Sequence, residues 1–335
     1  MTDQRLGIAY FGNRYAQHAR QDLRDIGATG GSIVNHVMSE ADLRWSAGTI
    51  ADLVNIGKAL GLENWLSPWG LGGAFGGEAP SYAVMNSPDQ CQRDSQGNHL
   101  PALCPNQPAF RSLMTTWIDV AAAAKVDVVT WDEPHLALPA PRSPGDRWSC
   151  RCMECQRLFL ETFGHAMPVN WDDDVASFCH WTMNRALGFL IEAAQARGLA
   201  SAVFLLPQEP PDGLAWREIA GRPGVRYFGV TPYWLLEGVP TDGVEAYVRH
   251  WCRRVVATTE DQGAQSLAWI QTFSVPEGRE NEIELAMAIM FEEGIDVICA
   301  WAYRACEPMS ALSPANPALV WDTVRRGFAS CRAGT

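Results

Sequence analysis

The chain is nearly without lysine: of its 335 residues only Lys58 and Lys125 carry a side-chain amine. A Schiff-base aldolase needs such an amine at its substrate face. Lys58 falls in a helical pattern and Lys125 just ahead of an apolar run, so neither is placed for that chemistry. Histidine is sparse as well, with seven residues, and none falls in an apolar run after position 180. A metal-dependent epimerase, which needs histidine and carboxylate ligands on several elements, is weakened by that gap. Basic residues number 26 against 38 acidic, a net charge of −12 that argues against a nucleic-acid or anionic-membrane partner. No apolar run is long enough to span a bilayer. Met1-Thr2-Asp3-Gln4-Arg5 leads straight into an apolar strand pattern with no signal peptide, so the expected location is cytoplasmic. There is no internal repeat, low-complexity stretch or linker.

Apolar residues are plentiful: 47% hydrophobic against 19% charged, enough for one large barrel or two ordinary domains. Runs rich in β-formers lie at 6–11, 31–35, 64–67, 126–131, 202–206, 227–230, 266–271 and 296–301. Helical patterns alternate with them at 14–26, 40–60, 108–124, 174–197, 212–220, 241–258, 279–293 and 315–330. Leu187, Leu190, Ile191 and Ala194 have the spacing of a helix face packed on a sheet. Gly61, Gly198, Gly263 and Gly294 stand where helices should stop. Eight strand–helix pairs predict an α/β fold, a single-domain (β/α)8 TIM barrel over residues 1–335. An open doubly wound sheet is the alternative, because closure leaves no periodic signal. Two connections are long, 68–107 after strand three and 132–170 after strand four, and long loops in compact domains are usually functional. The glycine-rich stretch at 70–76 is followed by Glu78 and Pro80 rather than by a helix, so it does not make a dinucleotide fingerprint, and no organic cofactor is expected.

The fourth strand pattern ends abruptly in Trp131-Asp132-Glu133-Pro134. Carboxylates at the tip of a buried parallel strand pack poorly. They are well placed to meet a substrate, because strand tips form the active face of such barrels. A solvated turn is the competing explanation, since Asp and Pro also favour turns.

Ten cysteines in a large chain point to burial or metal rather than to a disulfide framework. Cys150, Cys152 and Cys155 form a C-x-C-x2-C pattern in the loop after strand four. Three thiols at that spacing can converge on one ion, and a tetrahedral site needs a fourth. Cys104, in the neighbouring loop, is the first candidate and Cys91 the second. A four-cysteine zinc site would be structural and would tie the two long loops into a zinc-binding subregion at about 91–160.

These residues carry a resemblance. The chain resembles the catalytic barrel of glycoside hydrolase family 42, the thermophile-type β-galactosidases, within clan A of the barrel glycosidases. The matching stretches are Cys104 to Phe110, Asp132-Glu133, the cysteine pattern followed by Phe159, and Gly294 to Trp301 with Arg304. The resemblance implies four zinc-binding cysteines, a general acid/base at Glu133, galactoside substrates and oligomers. Burial near Trp131 and Pro134 would raise the Glu133 pKa, as a proton donor at neutral pH requires. Where the clan has an Asn that binds the sugar's 2-hydroxyl, this chain has Asp132. Where the clan has its strand-seven nucleophile, the chain has Gln271, and an amide cannot form a glycosyl ester. Glu277 from the next loop, Glu209 or Glu307 from other tips, or a water held by Gln271 are the alternatives.

Other strand-tip residues are expected to wall a carbohydrate site: Asn13, Tyr15, Asn35, His36, Trp69, Trp131, Tyr233, Trp301, Tyr303 and Arg304. His135, beside Glu133, reads as a hydrogen-bonded bystander. The expectation is a glycosidase for a small glycoside. A barrel isomerase or epimerase, and a sugar-binding descendant without catalysis, are the competing classes.

Overall fold

The computed structural model describes residues 4–77, 79–143, 145–208 and 216–333. Its strands are β1 (Arg5–Tyr10), β2 (Ile33–Met38), β3 (Glu63–Pro68), β4 (Cys91–Arg93), β5 (His99–Leu103), β6 (Val128–Asp132), β7 (Ala200–Leu205), β8 (Val225–Val230), β9 (Gln265–Gln271) and β10 (Val297–Trp301). Eight of them close into one parallel barrel in the order β1, β2, β3, β6, β7, β8, β9, β10, and β10 pairs back onto β1 through Arg5 with Val297 and Ile8 with Ala300. The barrel expectation therefore holds and the open sheet does not.

The helices are α1 (Ala16–Ala28), α2 (Glu40–Trp45), α3 (Ala47–Ala59), α4 (Tyr82–Asn86), α5 (Pro108–Ala123), α6 (Met153–Phe163), α7 (Asp173–Gln195), α8 (Trp216–Ala220), α9 (Val244–Thr259), α10 (Asn281–Glu292) and α11 (Pro317–Ala333). The apolar stripe of α7 is buried, including Leu187, Leu190, Ile191 and Ala194. Asp172 starts that helix by accepting the Val175 amide at 2.8 Å. Gly198 follows it at φ 75°, a left-handed stop that costs a glycine little. The pattern at 40–60 is two helices rather than one. A capping box between Ser39 and Asp42 starts α2, and the chain leaves helical geometry at Ser46. The hairpin of β4 with β5 and the helices α4 and α6 lie inside the two long connections. No helix among the described residues is long and apolar enough to cross a membrane.

Alternation along the strands sorts the core into two shells. Ile33 and Val37 on β2, Trp65 on β3, Val128 on β6, Phe204 on β7, Trp269 on β9 and Cys299 on β10 belong to the cluster that fills the lumen. Val34, Leu66, Val129, Trp131, Val203 and Ile298 have the opposite parity and join the cluster shared with the helices. Each fully buried large side chain contributes about 1.5–3 kcal/mol. The same parity decides which tip residues can reach the barrel mouth. At the other end of the barrel, Lys58 Nζ donates to the Lys125 carbonyl at 2.6 Å and lies 3.4 Å from Asp127, just before β6.

Candidate active site

Asp132 ends β6 on the lumen side, two residues beyond Thr130 and four beyond Val128. By alternation its neighbour Glu133 should point the other way. It does not, because Glu133 has φ 45°, a left-handed conformation that a non-glycine residue adopts at some cost. The turn is held by the Glu133 amide donating to the Phe204 carbonyl at 3.0 Å. Both carboxyl groups consequently line one cavity of about 480 Å³ at the barrel mouth.

The two acids differ in their partners. Asp132 is 6% exposed and has no hydrogen-bond partner for its carboxyl among the described residues; a Cβ added at Gly76 would stand 3.4 Å from it. Desolvation, followed by the charge of Glu133, holds its pKa well above the usual carboxylate range. Glu133 is pushed up chiefly by desolvation and further by Glu237, while the Thr231 hydroxyl, at 2.5 Å from Oε1, pulls it down. A carboxyl raised in this way keeps its proton to higher pH than a free one, the direction that a proton donor needs.

Aromatic rings dominate the remaining wall. Trp69 and Trp301 stack with centroids 5.7 Å apart, and Tyr233 meets Phe273 edge-on at 5.1 Å. Gly76, Gly77, Leu236 and the stretch 309–312 complete it. Gly77 is a glycine by necessity: at φ 102°, a Cβ there would stand 2.4 Å from the Trp69 ring.

Of the expected wall residues, Trp69, Tyr233 and Trp301 do line the cavity with Asp132 and Glu133. Trp131 does not. It faces the helices, packs between Phe75 and Trp117, and donates its indole N–H to Ser201 Oγ at 3.1 Å. His36 has the same outward parity, bonds Asn64 at 3.0 Å, and is held neutral by burial, which lowers its pKa to about 4. Asn35 faces the lumen but sits three residues short of its strand's end, buried and outside the cavity lining. Tyr303 is turned to Asp22 and Asp25, Arg304 is exposed beside Asp25, and Asn13 bonds Asp22. Tyr15 is exposed, and His135 bonds the Glu133 carbonyl through Nδ1 at 2.6 Å. None of these side chains lines the cavity.

Gln271 is the informative departure. It is 1% exposed and fully committed to backbone: Oε1 accepts from the amides of Leu235 and Leu236 at 3.2 and 3.3 Å, and Nε2 donates to the Phe273 carbonyl at 3.2 Å. It braces two loops rather than facing a substrate. Glu277 and Glu307 are exposed and outside the cavity, and Glu209 lies outside the described residues. Thr231, Glu237, Phe273 and the 309–312 wall were not anticipated from sequence. Thr231 follows β8 directly, and the strand-tip rule applied to every strand would have found it.

The four expected cysteines come together. Sγ atoms of Cys104, Cys150, Cys152 and Cys155 lie within 4.8 Å of one another, all buried, with Cys104 and Cys155 at 3.4 Å. A tetrahedral zinc with bonds of about 2.3 Å sets its sulfurs about 3.8 Å apart, so the group fits a metal of that size. Hydrogen bonds from the other three thiols hold Cys152 far below the usual thiol range. Asn106 Nδ2 donates to Cys155 Sγ at 3.4 Å, a contact of the kind that orients a ligand from outside. Cys91 is not in the group; its thiol faces the Val84 and Ser87 carbonyls. All ten cysteines are free and buried.

No protein-family model matches the chain, and no curated protein matches it. Solved structures do. The cold-adapted β-galactosidase of Rahnella sp. R3 is similar over 99% of this chain and 56% of its own, with TM-score 0.68 and 11% identity. The β-galactosidase of Bacillus circulans sp. alkalophilus is similar over the same shares, with TM-score 0.66 and 11% identity. The endo-β-1,4-mannanase of Thermotoga petrophila is similar over 100% of this chain and 78% of its own, with TM-score 0.60 and 10% identity. The chain thus spans little more than half the length of the two β-galactosidases. At these identities the likeness is one of fold, a barrel shared with glycoside hydrolases.

Proposed function

We propose that this chain is a glycoside hydrolase acting on a small glycoside, with Glu133 as the proton donor. The observation that carries the reading is the desolvated carboxyl of Glu133 at the fourth barrel strand's tip, turned by its own backbone into an aromatic-walled cavity. Aromatic faces suit sugar rings, and a buried acid suits a leaving oxygen. In the reaction Glu133 protonates the glycosidic oxygen, the bond from C1 to that oxygen breaks, and water adds to C1 with loss of its own proton. That proton needs an acceptor. Among the described residues Asp132 is the other carboxylate in the cavity, and the sequence offers Glu209 at the fifth strand's tip. The cysteine group would hold a structural zinc, closed to substrate because all four positions are filled by protein. The barrel, with the metal loops at about 91–160 as its subregion, would carry these groups.

The second reading is a sugar-binding protein that has lost catalysis. Gln271 favours it, since the amide stands near the resemblance's nucleophile position and is committed to backbone. A panel of aryl glycosides separates the two. Turnover that is abolished in Glu133→Gln supports the hydrolase; glycoside binding with no turnover in the wild type overturns it. Anomeric analysis of the first product then distinguishes retention from inversion, and the turnover lost in Asp132→Asn or Glu209→Gln identifies the proton acceptor.

A further inference from the structure

The cavity's charged chemistry is one-sided. Its two carboxyl groups belong to buried Asp132 and half-buried Glu133, and among the described residues no lysine, arginine or histidine lines it. Asp132 in particular is nine-tenths buried, lines the cavity and has no hydrogen-bond donor turned toward it among the described residues. A buried carboxylate in a protein is ordinarily paired. A third acidic group, Glu237, lies at the exposed edge next to Leu236, and a cation beside Asp132 would favour its ionised form against the desolvation that favours the acid. The same cavity is lined by the rings of Trp69, Trp301, Tyr233 and Phe273. Aromatic faces beside carboxylates make the surroundings in which an organic ammonium binds, by charge and by attraction to the rings.

We infer that the ligand of this cavity is a cation, and, resting on the glycosidase reading, that the substrate is a glycoside bearing an unacylated, protonated amine. The ammonium is held against Asp132, the rings of Trp69 and Trp301 cover it, and Glu133 is left to meet the glycosidic oxygen. A net charge of −12 draws such a ligand toward the protein.

The test uses three matched nitrophenyl glycosides, of glucosamine, N-acetylglucosamine and glucose, and their galacto counterparts, with the intact chain. The free-amine member is expected to exceed both neutral members in kcat/KM by about tenfold or more, the scale of a desolvated ammonium–aromatic and charge contact. Asp132→Asn, checked for a retained fold by far-ultraviolet circular dichroism, should erase that preference, in binding of glucosamine against glucose as well as in turnover. Equal or better turnover of the neutral glycosides overturns the cation proposal while the hydrolase reading stands. Calorimetry with glucosamine and glucose covers the case of no turnover. Binding of glucosamine alone then supports the cation site and sinks the hydrolase reading, and binding of neither sinks both.

Discussion

The Thr231 hydroxyl lies 2.5 Å from Glu133 Oε1 and 3.4 Å from the Leu205 carbonyl oxygen. Its single hydrogen can serve one acceptor at a time. Given to Glu133, it favours the ionised carboxylate and opposes the desolvation that favours the acid. Thr231→Val removes that opposition, so the pKa of Glu133 should rise further. A proton donor works while protonated, and activity falls as pH climbs through its pKa. The alkaline limb of kcat/KM should therefore move to higher pH in the variant. A limb that stays put or moves down would separate Thr231 from the donor.

Glu133→Gln keeps the side chain's shape and removes its proton. Turnover of any aryl glycoside that the wild type cleaves should fall by about 10²- to 10⁴-fold. The unfolding midpoint at neutral pH should hold or rise, because a buried ionisable group has been replaced by a neutral one. Near-wild-type turnover would remove Glu133 from the chemistry.

Stability should also report the acid pair. Asp132 and Glu133 have folded pKa values above their usual 3.8 and 4.5. Between the usual and the raised values the folded chain holds more protons than the unfolded chain. The free energy of unfolding therefore drops as pH rises through that window, and the contribution is fully present only below the usual values. Asp132→Asn deletes the Asp132 part, so chemical denaturation across pH should give a shallower fall for the variant. Parallel curves would show that Asp132 is not held protonated by its surroundings.

Gly77 is in contact with the Trp69 ring at a φ of 102° that resists any side chain. Gly77→Ala should displace the ring, at a cost of about 1–3 kcal/mol for overpacking plus backbone strain. Near-ultraviolet circular dichroism should change, and KM should rise more than kcat falls. An unchanged aromatic signal would mean that the wall yields elsewhere.

Metal analysis of purified protein should find about one zinc per chain. Cys155→Ser should lower that content and the unfolding temperature together, since Cys155 also receives the Asn106 hydrogen bond. An ion-free wild type of undiminished stability would end the zinc proposal.

The barrel was legible because each of its parts has a local signature. All eight strand runs become barrel strands, within a few residues at the ends. The four cysteines were legible for the same reason: three lie within six residues, and the fourth follows from adjacent loops. The cavity wall was only partly legible, because it depends on which way each tip residue faces. Trp131 and Asp132 are neighbours with opposite destinations, and the parity that separates them depends on register across the sheet. Glu133 breaks that parity through a single backbone angle that no residue pattern announces. Gln271 illustrates a further limit. Its place in the chain is readable, whereas its three backbone hydrogen bonds depend on loops from two different strands meeting.

The scarcity of lysine has a practical side. Lys58 and Lys125 touch one another beside the start of β6, at the end of the barrel opposite Asp132 and Glu133. Coupling a resin or a dye through lysine side chains thus attaches it at one pole. A surface loaded by that route would present its tethered molecules with the open mouth facing the solution, and a fluorophore placed there would sit a full strand length from anything bound inside.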